Sequence, residues 1–156
     1  MRNRALRIVA AAVIAATAAS CGGSDDADLS VDPQDFVTQA NAVCTKVAEQ
    51  TDRLAAPTAS SSRRQVEALL ASTLEISRKG LSELRSLEPP DDGRQTLNQY
   101  LDKLDEAIAL LARVDDAARS NDDKRVRKLS PRVQAAGDEA RRSALDYGLA
   151  ECGRAG

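Results

Sequence analysis

The chain contains no histidine and no tryptophan, one phenylalanine, two tyrosines and one methionine. Without histidine there is no Ser-His-Asp or Cys-His catalysis and no histidine-ligated zinc. The side chain best suited to proton transfer near neutral pH is also missing. Enzymes that work without it use paired carboxylates, Lys or Tyr, so an enzymatic function is not expected here, nor is a cofactor or a metal. So few aromatics, with only eight glycines, disfavour a β-rich core and leave Leu, Val, Ile and Ala to form the interior of helices. Long apolar runs are also scarce. The one that exists, Ile8 to Ala19, is about a dozen residues, short of the roughly 20 that a bilayer-spanning helix needs.

That run follows Arg2, Arg4 and Arg7, and a basic segment before a short apolar one is the layout of a signal peptide, here residues 1–20. Setting those residues aside leaves 19 basic against 24 acidic side chains, a formal charge of −5. An acidic domain lacks the cationic surface that displaces phosphate counterions, so nucleic acid is not an expected partner. Ala18-Ala19-Ser20-Cys21 resembles a bacterial lipobox, in which small residues precede a cysteine that is lipidated on its sulfur and becomes the first residue after cleavage. The match holds at Ala19, Ser20 and Cys21, whereas position 18 more often carries Leu. The alternative is free secretion with cleavage at Ala16-Thr17-Ala18. Gly22 to Ser30 is small, polar and acidic, and residues 21–32 are expected to be a lipidated cysteine followed by a flexible tether.

The remaining residues, 33–156, divide into four helical segments. Asp32-Pro33 is a cap followed by proline at the first helical position, and Phe36, Ala40, Val43, Cys44, Val47, Thr51 and Leu54 form one apolar stripe. Residues 55–62, with Pro57 and three serines, are a loop. Ser62 and Gln65 are spaced as a capping box for the second helix, which Pro89-Pro90 ends. Asp91-Asp92-Gly93 opens the third, where Leu97, Leu101, Leu104, Ile108, Leu111 and Ala118 keep heptad spacing, widened by Tyr100, Ala107 and Val114 and interrupted by Asp115. The fourth carries Val126, Leu129, Val133, Ala136, Ala140, Ala144 and Tyr147. Pro131 inside it predicts a kink or a restart, and Gly148-Leu149 marks its end. Similar lengths and short connections predict an all-α, up-down-up-down four-helix bundle.

Cys44 and Cys152 remain after Cys21. In an oxidising compartment they are expected to pair as a disulfide. Asp115, Asp116, Asp122 and Asp123, followed by Lys124, Arg125, Arg127 and Lys128, lack the spacing of a calcium loop and are expected to be solvated helix ends. Arg125, Arg132, Arg141 and Arg142 make the fourth segment basic, with Asp138 one turn before Arg142. Tyr100 and Tyr147 are expected to fill the core. Asp115, expected to pair with Arg125 or Arg132, is the one anchor for a carboxylate enzyme.

With the lipobox, the tether, the Cys44 stripe, Leu87-Glu88-Pro89-Pro90 and the closing Tyr147-Gly148-Leu149-Ala150-Glu151-Cys152-Gly153, the chain resembles the small uncharacterised helical lipoproteins of actinobacteria. The resemblance implies a site on the outer face of the cytoplasmic membrane, reached through lipidated Cys21, and carries over no catalytic or binding residues. The function expected first is a non-enzymatic interaction module docking an envelope protein or polymer. The alternative is a carrier or sensor holding a small apolar ligand inside the bundle.

Overall fold

A computed structural model describes residues 32–154. The signal segment, Cys21 and the tether as far as residue 31 lie outside the described residues. Asp32 accepts a hydrogen bond from the Gln34 amide at 2.8 Å and starts α1 (Pro33–Asp52). Ser62 and Gln65 form both halves of the capping box at the start of α2 (Arg63–Ser86), so two amides at the helix entrance are satisfied reciprocally. Gly93, with φ at +80°, precedes α3 (Arg94–Arg119), and the Asp122 side chain accepts from the Arg125 amide to cap α4 (Asp123–Tyr147). The fold is an all-α four-helix bundle, with no strand among the described residues.

One expectation about α4 is corrected. The helix runs unbroken through Pro131, so no restart occurs. Pro131 lies on the exposed face, where the carbonyl deprived of its amide partner meets water, and Ser130 donates to the Val126 carbonyl at 2.9 Å one residue before. The helix ends at Gly148, where the spacing placed it. Gly148, at φ +96°, donates to Leu145 and Leu149 donates to Ala144, both at 2.9 Å, which is a Schellman ending. The chain reverses there into a further short helix, α5 (Ala150–Arg154), with Leu149 fully buried beneath it.

The first end of the bundle gathers the start of α1, the α2–α3 turn and the end of α4. Phe36 meets Tyr147 edge to face at 5.9 Å between ring centres, and Gly93 lies against the same Tyr147 ring. Around them pack Ala40, Cys44, Leu84, Leu97, Tyr100 and Ala144. The far end holds Leu110, Val114 and Leu129, with Leu70, Val126 and Val133 half-buried around them. There Arg63 donates to the Ala118 carbonyl at 3.3 Å and pairs with Asp123 at 3.1 Å, joining three helix ends.

Successive helices are bridged by one exposed ion pair each: Lys46 with Glu83, Arg85 with Asp105, and Lys103 with Glu139. The seam between α4 and α1 has no such pair among the described residues, and Cα atoms of those two helices nowhere come within 8 Å. What joins them is α5, which packs on both.

Candidate functional site

The unclosed seam is the notable feature of the molecule. Where α5 lies between α1 and α4 it keeps the two helices apart. Beyond α5, toward the end of α1, no element of the described residues replaces it. A half-enclosed cavity of about 420 Å³ occupies the space. Val47, Ala48 and Thr51 of α1 face Gly137, Ala140 and Arg141 of α4 across it, and small side chains on the α4 wall leave it wide. Leu81, Leu84 and Leu104 form an apolar floor from α2 and α3.

Gly80 sets how closely the floor approaches α1. A Cβ at that position would lie 2.5 Å from Val47 Cγ2, so glycine lets α1 approach α2 closely here. Gly137 is different, because a Cβ there would meet only the Arg141 guanidinium at 3.6 Å, an ordinary contact. On the α4 side, therefore, the cavity has room for a larger side chain.

The Cys44 and Cys152 sulfurs border this cavity at the α5 end. They are bonded at 2.04 Å, with Cα atoms 5.0 Å apart, as pairing of the two cysteines requires. The tail reaches Cys44 because the Schellman turn reverses the chain and Asn41 accepts from the Glu151 amide at 3.0 Å. Tyr100 lies against the same sulfur, its hydroxyl 3.9 Å from Cys44 Sγ, and burial pushes its phenol up to about 12. Tyr147 is also raised by burial; Tyr100 lies in the core as expected, and Tyr147 packs half-buried against the same cluster. Cys21, the expected lipidation residue, lies outside the described residues.

Asp115 is buried at 7% exposure, and its partner is Arg119 one turn later at 2.8 Å, not Arg125 or Arg132. That bond raises the Arg119 guanidinium further. The correction follows from helix geometry, because a residue four positions on lies over the same face. The second carboxylate oxygen, Oδ1, is buried without a partner, and Asp115 lines none of the described cavities. The remaining acids of the α3–α4 turn are spread out. Asp122 caps a helix, Asp123 pairs with Arg63, and the Asp116 carbonyl accepts from Ser120. Among the described residues no three Cys, Asp or Glu side chains gather as metal ligands. Of the basic residues of α4, Arg141 pairs with the Asp138 side chain, while Arg142, one turn after Asp138, donates to its backbone carbonyl instead.

The stripes pointed to the core but not to the cavity. Gly80, Gly137 and the short helix that spreads the seam carry no periodic signal. No described helix is long and apolar enough to cross a membrane. Compared with protein-family models, with curated proteins and with solved structures, the chain matches none of them.

Proposed function

We propose that the chain is a non-enzymatic binding protein, anchored to the outer face of the cytoplasmic membrane through lipidated Cys21, whose open α1–α4 seam holds a small apolar ligand. The observation that carries this reading is the cavity of about 420 Å³, which falls in the range of roughly 300–1,000 Å³ typical of small-molecule sites. Leu81, Leu84, Leu104 and Val47 give it the apolar lining such sites have. Docking of an envelope protein or polymer on a helix face has less support. Leu145, at 53% exposure, is the only large hydrophobic side chain exposed among the described residues, and protein interfaces rely on clustered apolar anchors. The membrane location is supported by the lipobox-like residues ending at Cys21.

Native mass spectrometry of the chain extracted gently from membranes tests the binding reading. A small molecule retained by the wild type and lost from Gly137→Leu is the expected result. A bare chain, or one holding a second protein in fixed proportion, would overturn it in favour of docking. For the anchor, the expected mature protein carries a diacylglyceryl mass on Cys21 and partitions into detergent, and Cys21→Ser abolishes both. An unmodified N-terminus at Ala19 would make the protein freely secreted.

A further inference from the structure

Resting on that reading, we infer that the occupant is a single-chain amphiphile with an anionic head, carboxylate or phosphate, bound head-first toward Arg141 and Arg154. Three charged residues line the cavity, these two arginines and Asp52. Helix register separates them. Counting from the Phe36–Tyr147 contact at about 1.5 Å per residue, Arg141 lies roughly 9 Å along the bundle and Asp52 roughly 24 Å. Arg154 follows Cys152, which is bonded to Cys44, so it belongs with Arg141 at the α5 end. The cavity is thus cationic at one end, apolar along Val47, Leu81 and Leu104, and acidic at the other.

Both guanidiniums have partners, Asp138 for Arg141 and Glu151 for Arg154, each three residues back on its own helix. Pairs of this exposed kind contribute about 0–1 kcal/mol, so an incoming anion can take over either arginine at small cost. Arg141 is already placed for this, because its guanidinium lies over Gly137 on the cavity wall. A guanidinium also offers a planar fork that matches carboxylate and phosphate oxygens. Thr51 and Thr73, two polar lining residues, each donate to a carbonyl of their own helix at 2.9 Å, so neither hydroxyl competes with the arginines for an anion. The volume suits one chain.

The test uses the full-length chain in an uncharged steroid detergent, with the neutral apolar dye N-phenyl-1-naphthylamine as reporter. Decanoate, decyl phosphate and 1-decanol then compete for the dye. In Arg141→Gln/Arg154→Gln, displacement by the better of the two anions is expected to weaken by about tenfold, while decanol is unchanged. The anion that displaces the dye from wild type at the lower concentration identifies the head. Dye binding with equal anion displacement from wild type and variant would overturn the head-group inference and leave the apolar site standing. Failure of the dye to bind, in protein whose circular dichroism shows the helices intact, would overturn both.

Discussion

Reduction of the Cys44–Cys152 bond should cost this domain a large share of its stability. The two residues are 108 positions apart, so the bond closes nearly the whole bundle into one loop. In the chain-entropy model a loop of that length removes about 4.8 kcal/mol of freedom from the unfolded chain. A domain of this size has roughly 6–18 kcal/mol in all. With a urea m-value of about 2 kcal/mol per molar, the midpoint is expected to fall by about 2 M in Cys44→Ala/Cys152→Ala. The m-value itself should rise, because the uncrosslinked unfolded chain expands and exposes more surface. Urea titration followed by circular dichroism, oxidised against double variant, measures both quantities. The double alanine variant keeps a small apolar side chain at each position, so lost packing contributes less than lost closure. A midpoint that moves by under about 0.5 M would refute the reasoning, since the loop would then be closed in the unfolded state at no benefit to the fold.

Three other outcomes follow from the geometry. Gly148→Ala should cost about 1–2 kcal/mol in urea titration, entirely from placing an L-residue at φ +96°, because nothing lies within 4 Å of its Cβ; Gly148→Asn should cost less. Gly80→Ala should destabilise by about 1 kcal/mol despite its better helix propensity, because its methyl group meets Val47; combined with Val47→Ala the loss should disappear, and a double-mutant cycle with no coupling would contradict this contact. Burial raises Tyr100 to about 12 from 10.0, so in alkali the unfolded chain loses this proton first and stability falls between those values by about 3 kcal/mol. The stability contribution is therefore complete below pH 10 and lost as pH rises toward 12; Tyr100→Phe should show a shallower alkaline decline in the same pH series of urea titrations.

The helix boundaries were legible because they rest on near neighbours. Asp32, the Ser62–Gln65 box, Gly93, Asp122 and Gly148 each act within a few residues of their own position, and each stands where local spacing placed it. The core was legible in outline. Leu110 is buried off the expected α3 stripe, because α2 and α4 cover that helix on a wider arc than one heptad seam, and Ser143 is likewise buried off the α4 stripe. Asp115 was visible as an interruption of its stripe, but its partner was a question of side-chain reach. The cavity was not legible. It depends on α1 ending at Asp52, two residues before the apolar stripe does, and on five residues after Gly148 folding into a spacer between two helices. Both are long-range outcomes of packing, for which a single chain offers no periodic signature. Pairing of Cys44 with Cys152 needed no such knowledge, since only two cysteines remained for the folded domain.

The loop of residues 53–62 is exposed along most of its length and carries Arg53 beside the accessible backbone of Ala55 and Ala56, with Arg63 and Arg64 just beyond. It is the natural place for a protease to cut. A cut there severs α1 from the rest of the chain in sequence but not in substance, because Cys44 on one fragment remains bonded to Cys152 on the other. At the membrane surface proposed above, this means that one nick, anywhere between those two cysteines, releases nothing. The two pieces would stay on the surface as one body, running as a single species on a gel until a reductant is added.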